Sequence, residues 1–253
     1  MKKIVKYLKF CLNKFDEETQ LNEKWRGIDY ILNSDSLKDD FLKSNSHIPE
    51  VEHQVGRYLN MAKVVNDLDQ SNINGSLLEF GTWQGLSLIY FAKLLGSNSN
   101  NRKFIGVDSF EGLPHNSTIW KKGDFSDTEL NFVMNNFKKY SPKSLHDKVH
   151  LVKGWYNDPT VKREIFNISN DFALVHFDAD LYSSTKIALE MVEQHLFGRN
   201  EPFYLLFDDW GCHPNEVPEA FYEWVFKNKL YDKYLMIIVG STRYTRYYKF
   251  EKK

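Results

Sequence analysis

Two short apolar runs, each ending on carboxylates, constrain the fold of this chain more than any other feature. They are residues 172–177 (FALVHF) and residues 203–207 (FYLLF). Near-continuous apolar runs of this length are typical of strands that a parallel sheet buries on both faces. Open α/β sheets bind ligands outside the carboxyl ends of their strands, so acids at both ends predict a site at that edge. The acids are Asp178, Asp180, Asp208 and Asp209.

The rest of the chain continues the alternation of strand and helix, about five times in all, and ends in a hairpin-like pair of strands. Further strands are predicted at 76–80, 103–107, 149–152, 234–239 and 243–250. Helices are predicted at 55–69, 86–95, 127–140, 183–197 and 216–229, and another opens at Asp158 and Pro159. This order predicts an α/β fold with a mostly parallel seven-stranded sheet and one antiparallel edge strand.

Length and composition fit one elaborated domain. The chain has 253 residues, of which 42% are hydrophobic, and this is enough for one full core. Its 33 basic and 34 acidic residues leave a net charge of -1, which gives no electrostatic basis for binding nucleic acid. We expect no membrane span. The two cysteines, Cys11 and Cys212, are far apart and match no metal spacing, which predicts a reduced, cytoplasmic protein.

Residues 1–50 are predicted to form a helical extension ahead of a domain at 51–253. The first 15 residues partly follow helical apolar spacing and predict an amphipathic helix, with binding to a membrane surface as the sharper alternative. The extension as a whole is either a lid over the site or a contact within a homo-oligomer, and the sequence does not separate the two.

A strand, a glycine turn and a helix follow one another between residues 76 and 95. Gly81 and Gly85 permit a tight turn and let a ligand approach the N-terminus of the helix. The spacing is neither that of dinucleotide sites nor that of a P-loop, so phosphate binding is disfavoured. Asp108 ends the next strand, 29 positions after Glu79. An acid there can accept both hydroxyls of a ribose, and a turn-forming role is the alternative.

Six motifs taken together resemble the macrocin O-methyltransferase family. They are EFGTWQG (79–85), DSFEGLP (108–114), KGDFS (122–126), VKGWY (152–156), FDADLYSST (177–185) and DD (208–209). The match runs in order over about residues 55–240, and the joint occurrence is far more specific than any single motif. The resemblance implies a class I methyltransferase (Rossmann-like) fold. It also implies S-adenosyl-L-methionine as methyl donor, Mg²⁺, and a small-molecule or glycan acceptor with a sugar hydroxyl.

The resemblance further implies roles for individual residues. The cofactor-binding residues that it implies are Glu79, Gly81, Thr82, Gly85, Asp108, Ser109, Gly154 and Trp155. The metal-binding residues that it implies are Asp178, Asp208 and Asp209. All three metal-binding residues offer hard oxygen ligands, which suit Mg²⁺ better than Zn²⁺. Because acids gathered at one strand edge repel one another without a cation, the same residues predict metal-dependent stability.

The catalytic residues expected from this pattern are Asp178 and Asp180. A sugar hydroxyl is a poor nucleophile at neutral pH. One of these two acids is therefore expected to accept the proton of the hydroxyl, while a divalent ion lowers the pKa of that hydroxyl. Helix capping is the alternative for Asp180. His176 lies inside a buried strand, and we expect a hydrogen-bonded core histidine there rather than a catalytic base.

Two other functions fit part of the pattern. Nucleotide-sugar glycosyltransferases also hold a metal and a diphosphate with an apolar strand that ends in Asp-x-Asp, but the glycine turn and Asp108 count against this function. A non-catalytic cofactor-binding protein is disfavoured because all the acids that catalysis needs are present. The acceptor itself stays open between a glycoside, a polysaccharide unit and a nucleotide-linked sugar.

Overall fold

The computed structural model describes residues 56–95, 102–141, 143–213 and 216–253, and within them seven strands form one sheet. In chain order the strands are β1 (Ser76–Phe80), β2 (Phe104–Asp108), β3 (Val149–Lys153), β4 (Phe172–Phe177), β5 (Phe203–Phe207), β6 (Tyr234–Ser241) and β7 (Arg246–Lys252). Their order across the sheet is β3-β2-β1-β4-β5-β7-β6. The first five strands are parallel to one another, and β7 is antiparallel to both β5 and β6.

Helices cover both faces of this sheet. In the same ranges they are α1 (Arg57–Gln70), α2 (Leu86–Leu95), α3 (Leu130–Tyr140), α4 (Pro159–Ile168), α5 (Tyr182–Gly198), α6 (Val217–Lys227) and α7 (Leu230–Lys233), with a 3₁₀ helix at Lys143–Lys148. None of the helices described is both long enough and apolar enough to cross a membrane.

The predicted fold class is confirmed, and the bounds of β1, β4, β5 and α2 are as predicted. Other ends differ for local reasons. The helix predicted from 127 begins at Leu130, because Glu129 has an extended backbone with φ of -135°. The strand predicted from 243 begins at Arg246, because the Thr242 hydroxyl accepts the N–H groups of Tyr244 and Thr245 in a turn. The predicted extension at 1–50 lies outside the described residues.

The sheet separates two apolar cores. One core packs α4, α5 and α6 against one face, with Val161, Leu189 and Phe221 fully or almost fully buried. The other core packs α1, α2 and α3 against the opposite face, and it includes Leu68 and Phe91. Because both faces are covered, the central strands are buried along their whole length, which explains their continuous apolar sequence.

The parallel strands end at a common edge, and backbone hydrogen bonds continue one residue beyond them. The Asp178 N–H donates to the Phe80 carbonyl at 2.9 Å, and the Asp208 N–H donates to the Phe177 carbonyl at 2.9 Å. Gly81 follows β1 with φ of +86°, and a Cβ atom there would lie 1.7 Å from the Asp178 carbonyl oxygen. The turn after β1 therefore lies directly against the end of β4, at the point where the strand order reverses.

Candidate active site

A cavity of about 840 Å³ opens at the carboxyl ends of the parallel strands. The predicted site residues that line it are Gly81, Thr82, Asp108, Ser109, Trp155, Asp178, Asp180 and Asp209. Four predicted residues are not part of the described lining: Glu79, Gly85, Gly154 and Asp208. Glu79 and Asp208 are fully buried behind it. The structure thus brings most of the predicted residues to one cavity and places two of the acids beneath its wall.

Backbone donors fix the Asp108 carboxylate on the β1 and β2 side of the cavity. The Trp83 N–H donates to Oδ2 at 2.8 Å and the Phe110 N–H donates to Oδ1 at 2.7 Å. Burial raises the pKa of Asp108, and these two hydrogen bonds oppose the rise. The Ser109 hydroxyl accepts the Glu111 N–H at 3.1 Å, so it belongs to the turn that follows β2. Asp108 is consequently oriented without any ligand.

A row of polar side chains crosses the α1 face of the sheet beneath the cavity. Glu79 of β1 and His176 of β4 are register partners, and His176 Nδ1 lies 3.0 Å from Glu79 Oε2. On its other side, His176 Nε2 lies 3.3 Å from Asp208 Oδ2. The Tyr247 hydroxyl donates to Asp208 Oδ1 at 3.2 Å. The expectation that His176 is a hydrogen-bonded core residue is confirmed.

The surroundings of His176 favour its protonated form. Burial by itself lowers the pKa of His176, but the carboxylates of Asp208 and Glu79 outweigh this and raise the pKa to about 10. A fully buried imidazolium between two fully buried carboxylates uses both ring nitrogens. His176 is therefore a fixed cation of the site rather than a proton acceptor.

Arg57, the first residue of α1, is a second cation in this region, and the sequence reasoning did not identify it. Its Nη1 atom lies 2.9 Å from Asp208 Oδ2 and its Nη2 atom lies 3.4 Å from Asp178 Oδ2. The Arg57 side chain is 12% exposed. Arg57 lines the cavity, so one guanidinium joins an acid at the end of β4 to an acid at the end of β5.

The four acids that end β4 and β5 form two pairs. Asp178 and Asp208, which Arg57 bridges, are called the inner pair. Asp180 and Asp209 are called the outer pair: both line the cavity, both have φ of +56°, and their carboxyl groups are hydrogen-bonded to each other. Cys212 Sγ also donates to Asp209 Oδ1 at 3.1 Å. Each pair therefore takes one acid from each strand end.

The pKa values of two of these acids reflect their surroundings. Burial raises the pKa of Asp178 to about 8, with Arg57 opposing the rise and Asp208 and Asp209 adding to it. Burial and the neighbouring carboxylates of Asp209 and Asp178 raise the pKa of Asp180 well above its usual range. Burial is the largest cause of both shifts, and the neighbouring carboxylates add to it.

Asp180 does not cap the helix that follows it. The residue at the N-cap position of α5 is Leu181, and no side chain of that residue caps the helix. The Tyr182 N–H instead donates to Glu216 Oε2 at 2.6 Å. The capping alternative for Asp180 is therefore wrong, and its carboxyl group is left for the outer pair and the cavity.

The donor set fits a divalent cation. Among the described residues, ligand atoms of His176, Asp178 and Asp208 lie within 4.8 Å of one another. Five carboxylates meet here, those of Glu79 and of the two pairs, and Arg57 and His176 contact three of them. Since carboxylate oxygens dominate and the imidazole is already engaged, the chemistry suits Mg²⁺ rather than Zn²⁺.

Aromatic side chains form another part of the cavity lining. The ring of Phe125 lies edge-on to Trp120 at 5.0 Å and to Trp83 at 5.6 Å. The loop that carries Trp120 and Phe125 also carries His115, whose Nε2 lies 2.8 Å from Ser183 Oγ of α5. All five residues line the cavity, which thus has an acidic wall and an aromatic wall.

Arg57 could have been found from the sequence, because its position in a helical pattern is a signal. Arg57 lies four residues before Met61 and seven before Val64, so it continues the buried face of an amphipathic helix. A charge at such a position requires a partner. Tyr247 gave no comparable signal, because a tyrosine at a buried position of a strand is ordinary.

The sheet order, with β7 inserted antiparallel between β5 and β6 and the cavity where the order reverses, defines a class I methyltransferase fold. The crystal structure of CalS11, a calicheamicin methyltransferase, has the same fold. It superimposes with a TM-score of 0.63 at 21% sequence identity and covers 93% of this chain and 94% of that chain.

The chain belongs to the Macrocin-O-methyltransferase (TylF) family, whose profile matches residues 35–244. This confirms the resemblance found in the motifs. One relative is the 8-demethyl-8-(2,3-dimethoxy-alpha-L-rhamnosyl)-tetracenomycin-C 4'-O-methyltransferase of Streptomyces olivaceus, 28% identical over 64% of this chain and 64% of its own length. Another is the mycinamicin III 3''-O-methyltransferase of Micromonospora griseorubida, 26% identical over 77% of this chain and 79% of its own length. The chain thus spans less than two thirds of the first relative.

Proposed function

We propose that the protein is an S-adenosylmethionine-dependent O-methyltransferase that methylates a hydroxyl of a sugar or glycoside. The observation that carries this proposal is one cavity that joins the turns at Gly81 and Asp108 to the carboxylates of Asp178, Asp180 and Asp209. Methyl transfer from a sulfonium needs the donor and the acceptor side by side in line. The names of the two relatives, a rhamnosyl-tetracenomycin and a mycinamicin O-methyltransferase, support the acceptor class.

The donor half of the cavity is formed by the turns that follow β1, β2 and β3. In this proposal Gly81 and Thr82 contact the methionine end and Asp108 accepts the ribose hydroxyls. Backbone N–H groups hold both carboxylate oxygens of Asp108, and the residue lines the cavity where a ribose hydroxyl would meet it. Trp155 and Tyr156 line the cavity where the adenine would lie. Glu79, Gly85 and Gly154 shape these turns from behind the lining.

The acidic half is proposed to hold Mg²⁺ through Asp178, Asp208 and Asp209. When bound, a divalent ion supplies charge that lowers the pKa of an acceptor hydroxyl. Asp178 and Asp209 line the cavity. Asp208 lies behind the lining and contacts Arg57, which lines the cavity. The observations that support this assignment are that ligand atoms of Asp178 and Asp208 lie within 4.8 Å of each other and that Asp178 and Asp209 line the cavity.

We assign the proton acceptor to Asp180. The Asp178 carboxylate is assigned to the metal, while Asp180 lines the cavity and pairs with Asp209. A carboxyl group with a raised pKa is a stronger base once it is ionised. The aromatic wall of Trp83, Trp120 and Phe125 would stack on the apolar face of a sugar ring and turn its hydroxyls towards the acids.

Calorimetry and a methyl-transfer assay test this function. The protein should bind S-adenosylhomocysteine, and it should methylate at least one member of a panel of glycosides, polysaccharide units and nucleotide-linked sugars. Binding of a nucleoside diphosphate sugar without S-adenosylhomocysteine would favour a glycosyltransferase instead. Binding of S-adenosylhomocysteine with no turnover on any acceptor would favour a non-catalytic protein. The homo-oligomer and the cytoplasmic location expected from the sequence stay predictions.

Removal of metal tests the Mg²⁺ assignment separately. We expect a chelator to abolish methyl transfer and to lower the melting temperature, and added Mg²⁺ to restore both. Unchanged turnover and melting in protein shown to be metal-free would remove the metal from the proposal and leave the methyl transfer itself standing.

A further inference from the structure

The Arg57 guanidinium contacts one carboxylate oxygen of each acid of the inner pair. Its two terminal nitrogens lie 2.9 Å from Asp208 Oδ2 and 3.4 Å from Asp178 Oδ2. These acids come from neighbouring strand ends, and the guanidinium is almost buried between them. A planar fork with two donors is suited to join two carboxylates in this way.

The Asp208 carboxylate has its oxygens engaged by protein groups on several sides. Oδ1 accepts the Tyr247 hydroxyl, and Oδ2 faces both His176 Nε2 and Arg57 Nη1. Asp208 is fully buried behind the cavity lining, so a metal ion that reaches it from the cavity has to pass one of these groups. His176 is fully buried and is held by Glu79, whereas Arg57 lines the cavity. Arg57 is the group between Asp208 and the space from which a cation arrives.

Charge leads to the same residue. Arg57 supplies one positive charge to the two acids of the inner pair, and a divalent ion supplies two. Placing both cations against the same oxygens brings like charges into contact, and that repulsion is strong where water is excluded. The Arg57 side chain reaches the cavity from the first turn of α1, so its guanidinium can move into the cavity without unfolding the helix.

We propose that Arg57 is a positioning residue that competes with the divalent cation for the inner pair. In the metal-free enzyme its guanidinium holds Asp178 and Asp208 together and keeps them from repelling each other. When the metal binds, it takes over these contacts and Arg57 withdraws, so Arg57 weakens metal affinity while it keeps the site assembled. This inference rests on the metal role in the proposed function.

Titration of Mg²⁺ alone into Arg57→Gln and wild-type protein tests the competition. We expect Arg57→Gln to bind Mg²⁺ at least about fivefold more tightly, because the competing cation is gone. Without metal its melting temperature should be lower than that of the wild type, and Mg²⁺ should raise it by more than it raises the wild type. A purely structural role for Arg57 would lower stability but would not tighten metal binding.

Two further variants keep the test decisive. If Arg57→Gln gives no folded protein, Arg57→Met replaces it, because its unbranched apolar side chain carries no charge and the variant should also bind Mg²⁺ more tightly than the wild type. Tyr247→Phe is the matched control, since it removes a neutral donor from the same Asp208 carboxylate. Its Mg²⁺ affinity should stay within about threefold of the wild type, as expected for the loss of one neutral hydrogen bond. Binding of S-adenosylhomocysteine verifies the fold of each variant.

Other outcomes overturn the competition. A Kd for Mg²⁺ that falls less than fivefold, stays the same or rises in the Arg57 variant would show that Arg57 supports the metal or ignores it. In that case wild-type Mg²⁺ binding leaves the proposed function intact. If neither protein binds Mg²⁺, both this inference and the metal role fail. Methyl transfer in the presence of a chelator would then show that the proposed methyltransferase activity does not need the metal.

Discussion

The inner and the outer pair have the same origin in the sequence and opposite surroundings in the structure. Each pair takes one acid from the end of β4 and one from the end of β5. The inner pair is balanced by Arg57 and His176, which are buried protein cations. The outer pair has no such contact among the described residues, and its carboxyl groups bond to each other in the cavity wall. Protein cations therefore balance the negative charge of the inner pair, whereas the charge of the outer pair is left to protons and bound ligands.

The largest effect should come from the outer pair and concern catalysis. If Asp180 accepts the proton, Asp180→Asn should lower kcat by about 100- to 10,000-fold. Binding of S-adenosylhomocysteine and the melting temperature should be unchanged, because Asp180 does not cap α5. Asp178→Asn is the matched variant of the inner pair and should weaken Mg²⁺ binding as well. If Asp180→Asn turns over at more than a tenth of the wild-type rate, Asp180 is not the proton acceptor.

A second prediction concerns stability and should separate the pairs clearly. Asp208→Asn leaves Arg57 and His176 without their shared carboxylate in a fully buried position, at a cost of about 3–5 kcal/mol. Asp209→Asn in the cavity wall should change the free energy of unfolding by less than about 1 kcal/mol. Urea unfolding of the two variants without metal measures both values. Equal effects would mean that the two pairs share one environment.

The third prediction is a fall in the stability of the metal-free protein as the pH rises. The pKa of Asp178 is raised from 3.8 to about 8, so the folded state holds a proton that the unfolded state releases, and stability is lost as the pH rises across this range. The pKa of His176 is raised from 6.5 to about 10, so its contribution is complete below pH 6.5 and is lost as the pH rises through 10.

Melting temperatures from pH 6 to pH 9 in the presence of a chelator check this prediction. Mg²⁺ should flatten the profile, because a cation at the inner pair keeps Asp178 ionised in the folded state. A metal-free profile that is flat or rises with pH would contradict the assigned charges of the inner pair.

The smallest effect should come from Cys212. Its thiol donates to Asp209 Oδ1 at the margin of the outer pair, and one weak hydrogen bond of this kind contributes little to stability. Cys212→Ser should leave the melting temperature and kcat almost unchanged, and Cys212→Ala should lower the free energy of unfolding by less than about 1 kcal/mol. A large loss of turnover in Cys212→Ala would mean that Asp209 depends on the thiol for its orientation.

Most of the fold and the outline of the site could be predicted from local sequence. The apolar runs at 172–177 and 203–207 specify strands that are buried on both faces, and acids directly after them must lie at the common edge. The division into two pairs could not be predicted, because Asp178 and Asp180 follow the same strand. Two features of the folded chain distinguish these acids: Asp180 has a left-handed backbone, and Arg57 contacts Asp178. Such contacts depend on tertiary packing, which no motif records.

The close approach of Gly81 to Asp178 has a consequence for how ligands bind. No side chain separates the turn that would hold the methyl donor from the strand end that would hold the metal, and even a single methyl group at residue 81 would collide with the Asp178 carbonyl. A donor that shifts this turn should therefore also shift Asp178, the residue proposed to bind the metal. By thermodynamic linkage the two affinities depend on each other reciprocally. If both bind as proposed, donor and metal should thus bind to this protein cooperatively rather than independently.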